Sequence, residues 1–291
     1  MAKTTTKVTP APTKIVPVKQ ELASVQNMDP EFVKEMMQDA GMGVSTRPDD
    51  NITPSVRVLQ ALSPQITGAA GAIKVEGAEA GDFLLGDSQE LIPGDEGFWF
   101  QPTCMTEWWF EFIPRERGGG FVARYQVKHD DNDQIVPPNG AIQSETNPFK
   151  YTFEETNNNC THYRFVPGIM WREGEGLEYV IPFMSTGHTI VRTWNTKWMR
   201  QRFPNGQIMP AFSNIYRLTT KMKTNKHGSW HLIETSKAHL LTGMKEVVGD
   251  PMQAYRIGRA LALAFAAGER VESTDVEMEV DDNKSDDEIP F

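Results

Sequence analysis

Cysteine is scarce in this chain: Cys104 and Cys160 are the two present in 291 residues. One pair at most excludes a disulfide framework and fits a reducing compartment. Long apolar runs are missing too. The longest patch, Ala260–Ala267, is far too short to span a bilayer. The first residues, MAKTTTKVTPAPTK, hold Lys and Thr but no apolar stretch of the kind a secretory signal needs. These absences predict a soluble protein of the cytoplasm. The chain also lacks a Walker loop, an HExxH motif and a G-x-S-x-G motif, and no internal repeat is evident. Neither catalysis nor a cofactor is expected.

Metal ligands do not assemble from spacing. Cys160 and His162 with Cys104, and His129 as a fourth, lack the close pairs that structural zinc sites use, so no metal is expected. Asp130-Asp131-Asn132-Asp133 opens like a calcium loop. Its sixth position is Ile135 where Gly is needed, and its twelfth is Ala141 where a bidentate Glu is needed. A solvated acidic turn is the better description.

Acids are missing from one long internal stretch, and that absence is informative. The chain has 29 bases against 39 acids, a net charge of −10, which by itself opposes a polyanionic partner. Nine of those acids, with the single base Lys284, lie in the tail from Glu272 to Phe291. The body is left with 28 bases and 30 acids and is near neutral. Between Glu178 and Glu234 there is no acid at all. Arg192, Lys197, Arg200, Arg202, Arg217, Lys221, Lys223 and Lys226 all fall there. A base-rich, acid-free stretch is the footprint of a surface that tracks phosphates.

What the chain does have is an unusual ending. The tail is too acidic and too poor in apolar residues to fold on its own, so disorder is expected. It closes on Asp286, Asp287, Glu288, Ile289, Pro290 and Phe291. An aromatic ring beside a free carboxylate suits a hydrophobic pocket with a basic rim on a partner. This ending resembles the acidic tip of bacterial single-stranded DNA-binding proteins, a run of Asp followed by Ile-Pro-Phe. It is similar, more loosely, to bacteriophage proteins of that function. The resemblance covers the tip alone. It implies recruitment of replication or recombination proteins through those six residues. The bacterial proteins carry their barrel at the N-terminus and a long linker before the tip. Here an arm and a helix come first, which points to a bacteriophage or otherwise divergent member.

Along the chain, residues 1–27 read as a flexible arm and 28–51 as a short helix and linker, with Asp29 capping a helix that starts at Pro30. Residues 52–244 read as β-rich. Val56–Leu59, Phe83–Leu85, Trp108–Phe112, Phe121–Val127, Ile215–Lys223 and Trp230–Thr235 are expected strands, with a hairpin loop at Asn225–Gly228. One helix is expected at Thr189–Arg202. A last helix, Pro251–Ala267 within residues 245–271, starts at Asp250 and packs on the β-domain through Tyr255, Ile257, Leu261 and Phe265. Residues 272–291 form the tail. The predicted class is mainly β with a few helices, an OB-fold-like Greek-key barrel with flanking helices and a disordered acidic tail. The OB choice leans on the tail resemblance, since a fold confers no function.

Binding a single strand without sequence preference needs cations along a groove and flat rings for bases, each stacked base contributing about 1–3 kcal/mol. Bases and rings interleave at Trp108–Lys128, at Arg192–Arg202 and in the 217–230 hairpin. Trp194 and Trp198, four apart on a helix, are expected in a core, as are Trp108, Phe110 and Phe112. Trp109 is the expected exposed ring of its strand. The candidate contacts are Arg192, Lys197, Arg200, Arg202, Arg217, Lys221, Lys223, Lys226, Arg124, Lys128, Trp109 and Trp230. Sequence-independent binding of single-stranded DNA in replication, recombination or repair is therefore the expected function. A scaffolding protein using its tail for assembly is the alternative, and a metal-dependent nuclease is the weaker one. Homo-oligomerisation is left open.

Overall fold

The structure is a computed structural model that describes residues 52–68, 74–132, 134–145, 151–184, 188–225, 228–268 and 270–272. The arm, the first helix, Lys226 and the tip Asp286–Phe291 lie outside the described residues.

The described chain is mainly β with interposed helices, as the alternating patterns predict. Strand β1 (Ile52–Thr53) leads through Pro54 into β2 (Val56–Val58), followed by one helical turn, α1 (Pro64–Thr67). β3 (Phe83–Leu85) and β4 (Leu91–Ile92) join β2 in a small antiparallel sheet. Then come β5 (Phe98–Pro102), β6 (Thr106–Phe112) and β7 (Phe121–Gln126). Short strands β8 (Lys128–His129), β9 (Ile135–Val136), β10 (Ala141–Gln143) and β11 (Tyr151–Phe153) follow. The long pair β12 (Asn159–Arg172) and β13 (Glu175–Met184) leads to helix α2 (His188–Arg200). β14 (Asn214–Asn225), β15 (Gly228–Thr235) and β16 (His239–Leu240) precede helices α3 (Lys245–Val248) and α4 (Pro251–Ala267). β17 (Val271–Glu272) closes the described chain parallel to β1.

β12 is the axis of a ten-stranded sheet. Its partner on one edge is a strand in two parts, β5 and β6. Pro102 faces Gly168 and Thr106 faces Phe165, so Thr103–Met105 hold one extra residue. Such a bulge bends the strand. Pro167 has no N–H to give there, and its carbonyl accepts from both the backbone and the hydroxyl of Thr103, each at 2.9 Å. The two halves then take different neighbours. β5 pairs with β14 and β6 pairs with β7, so the sheet forks into two arms.

The first arm runs β13–β12–β5–β14–β15, and β2 bridges its two outer edges. Val180 donates its backbone N–H to the Pro54 carbonyl at 2.8 Å. Across the way, the Gln60 side chain takes both backbone groups of His231, at 2.8 and 3.0 Å. Inside this closure Val56, Phe83, Phe98, Phe100, Met170, Ile181 and Leu218 belong to one core. The interior is filled by side chains. β12 turns into β13 through Glu173-Gly174, both at positive φ (48° and 86°), the backbone that a two-residue type I′ hairpin needs.

Helix α4 packs on β12. Asp250 caps it, accepting from the Met252 N–H at 2.9 Å, and Pro251 opens the first turn. Ala254, Gly258, Leu261 and Phe265 form its buried stripe. Leu261 and Phe265 join Phe112, Tyr163, Phe165 and Ile169 in one core, and each such burial stabilises by about 1.5–3 kcal/mol. Gln101, completely buried, ties the layers together. It donates to the carbonyls of Phe212 (2.7 Å) and Ala254 (3.1 Å) and accepts from the Trp171 indole (2.9 Å).

Candidate nucleic-acid interface

The β14–β15 hairpin pairs without a break from Leu218–Thr235 to Asn225–Gly228, so side chains alternate strictly across it. One face turns Tyr216 and Leu218 into the barrel core. The other carries Arg217, Thr219, Lys221 and Lys223, with Glu234, Leu232 and Trp230 opposite the last three. At the far end of that face, Arg217 lies opposite Trp99 of β5, its guanidinium 5.7 Å from the ring centroid. Arg217 also donates to the Glu96 carbonyl, and the His239 ring meets Trp99 edge-on at 5.4 Å. Toward the turn the hairpin leaves the barrel, and Lys221, Met222, Lys223 and Thr224 are all exposed. Lys221 has an exposed counter-ion, Glu234, at 3.4 Å. Such a surface pair is worth about 0–1 kcal/mol and yields readily to a phosphate.

Helix α2 seats Trp194 in the barrel core against Phe100 and Phe183, where a helix-spaced tryptophan was expected. Arg192 and Arg200 stay exposed, eight residues apart and therefore on one side of the helix. Lys197 is not on that strip. Its ammonium donates to the hydroxyl and carbonyl of Thr235 and, at 3.4 Å, to the Ser236 carbonyl, and burial pushes its pKa below the ordinary value. It anchors the helix to the end of β15. Arg202 is exposed and donates to the Gly206 carbonyl at 2.7 Å. The Trp198 side chain lies outside the described residues.

The second arm corrects one expectation. Trp109 is 3% exposed, and its indole N–H donates to the Val136 carbonyl at 3.1 Å. A strand that alternates as Trp108–Phe112 does was expected to have one wet face. β6 has two covered ones, because Tyr151, Phe153 and Cys160 form a separate small core on the Trp109 side. Trp109 is therefore not an accessible stacking ring. Glu111 shares that side and is buried as a satisfied carboxylate, accepting from Tyr125 (2.5 Å), Asn158 (2.6 Å) and Thr156 (3.3 Å). The hydrogen bond to Glu111, ahead of burial, pushes the Tyr125 phenol up to about 12. Trp108 is half-buried with the Arg124 guanidinium 4.8 Å above its ring, and Lys128 is exposed on β8. These bases sit on the β6–β7 arm, away from the hairpin face.

Cys104 packs toward the helix-side core and Cys160 in the small core, on opposite faces of the sheet. Among the described residues no group of three or more His, Cys, Asp or Glu converges on one point. No helix among them is long and apolar enough to cross a membrane.

Of the predicted contacts, then, the fold gathers Arg217, Lys221, Lys223 and Trp230 on one sheet face and places Arg192, Arg200 and Arg202 on α2 and just beyond it. It buries Trp109 and ties Lys197 to the end of β15. Trp99 was missed, although its signal was present: in Phe98-Trp99-Phe100 the alternation that buries both Phe turns Trp99 outward.

In comparison with known proteins, residues 20–271 match the sequence profile of a family described as Pam3 phage gp34-like protein. No curated protein and no solved structure matches.

Proposed function

This chain belongs to the Pam3 phage gp34-like protein family, and we propose that it binds single-stranded DNA without sequence preference during phage replication, recombination or repair. The observation that supports this most is the acid-free stretch between Glu178 and Glu234. It folds so that Arg217, Lys221, Lys223 and Trp230 share one outer face of a projecting hairpin. Cations in a row carry phosphates, and a ring among them carries a base. The barrel is taken as OB-like in this proposal, with the strand lying on its outside. Its interior is filled by Phe83, Phe100, Met170 and Leu218, which leaves no groove there. The acidic tip Asp286, Asp287, Glu288, Ile289, Pro290 and Phe291 recruits replication or recombination proteins in the host cytoplasm. As a polyanion the tail also competes with DNA for the same cations, so bound DNA frees the tip.

The test is fluorescence anisotropy of labelled oligo-dT against duplex of equal length, across a salt series without divalent metal. Preference for the single strand that weakens steeply with salt is the expected result. Binding to neither form would remove the proposal and leave the scaffolding alternative, with the tail as an assembly signal.

A further inference from the structure

The seven tryptophans sort sharply by position, and the sorting identifies where bases can stack. Trp109, Trp171 and Trp194 are buried. Trp108 pairs into the β6–β7 arm and does not share the hairpin face. Trp198 has no described side chain. Trp99 and Trp230 remain, both half-buried, and Trp99 packs against the helix-side core.

Those two rings lie on the same face of the same sheet. Trp99 is opposite Arg217 and Trp230 opposite Lys223, and Arg217 and Lys223 have the same parity on an unbroken strand. The six residue steps between them span about 20 Å. Between the rings lie Thr219 and Lys221 on β14, with Leu232 and Glu234 on β15. The face thus has a ring at each end, a cation beside each ring and a further cation between them. Arg217 lies over Trp99 and offers its own guanidinium plane, a surface on which bases also stack.

We propose that Trp230 and the Trp99–Arg217 pair are the two stacking stations of the interface, bracketing about four nucleotides of single strand. This assignment rests on the single-strand binding proposed above. The strand runs lengthwise along β14 with its phosphates on Lys223, Lys221 and Arg217. A duplex is excluded, because its bases stay stacked on each other and have no face to offer either ring.

The experiment titrates the full chain with oligo-dT of about two, four and eight nucleotides, reading tryptophan quenching and competition against a longer labelled strand. Affinity should climb steeply from the shortest to the middle length. Trp230→Ala should weaken middle-length binding roughly five- to 150-fold, and Trp230→Phe should restore most of it. Quenching that persists in Trp230→Phe and is lost when Trp99→Phe is added reports Trp99. If the long strand binds with the expected salt dependence but Trp230→Ala binds like the original chain, the stations are wrong while the function proposed above survives. If the unaltered chain binds no oligo-dT of any length, both fall.

Discussion

Replacing Gln101 by Leu removes the side chain that joins Trp171 of β12 to helix α4, and the cost can be worked from its three hydrogen bonds. Leu has similar bulk, so no cavity opens and the change is chiefly polar. The Trp171 indole N–H, in a ring 4% exposed, loses its acceptor, and an orphaned buried donor costs about 1–3 kcal/mol. The Phe212 carbonyl loses a donor as well. The Ala254 carbonyl lies inside α4 and has a second lone pair in use along the helix, so it suffers less. Burying the apolar Leu returns about 1–2 kcal/mol. The net expectation is about 2–4 kcal/mol of lost stability, read as a lower urea midpoint at unchanged slope. Changing Trp171 to Phe as well removes the orphaned donor, so the double variant should lose less than the two singles added together. A stability loss below about 0.5 kcal/mol, or strict additivity, would refute the role given to Gln101.

Three further outcomes follow from the same physics. Gly168 lies under the Phe100 ring, where an added Cβ would come within 2.4 Å of a ring carbon and 2.6 Å of the Gln101 carbonyl oxygen. Gly168→Ala should therefore cost about 1–3 kcal/mol in the same unfolding assay. Desolvation, then the Glu111 charge, pushes the Cys160 thiol from its ordinary 9.0 to about 12. The folded state holds that proton more tightly than the unfolded chain, so the thiol's contribution is complete below pH 9 and is lost as pH rises toward 12. Unfolding titrations from neutral to alkaline pH should show that loss, and Cys160→Ala should lessen it. Truncation at Glu272, removing the acidic tail, should raise affinity for oligo-dT at low salt, with the gain fading as salt rises.

The strands that alternate cleanly were legible in the sequence, and so was the last helix, Pro251–Ala267, with its Asp250 cap. The hairpin was too, although its strands run further than expected, to Asn225 and from Gly228. The basic face was legible because period-two spacing fixes which side chains share a side once a strand is unbroken. Trp109 was misjudged because alternation tells which residues share a face and not what covers it. The β10–β11 arm that buries it comes from residues 141–153, distant in sequence. The tie of Lys197 to the carbonyls at the end of β15 was not legible either, since residues 197 and 235 are far apart in sequence. The fork in the sheet depends on one extra residue at Thr103–Met105, and a bulge has no signature in hydropathy.

The most direct measurement of the central claim is the salt dependence of oligo-dT affinity for the unaltered chain and for the Lys221→Gln/Lys223→Gln pair. Each phosphate contact on a single strand contributes about 0.7 to the slope of log affinity against log salt. Losing two should flatten the slope by about 1.4 while the fold is unchanged, since both side chains are exposed. An unaltered slope in the double variant would mean that phosphates never reach the hairpin, and the claim that this face binds the strand would be wrong.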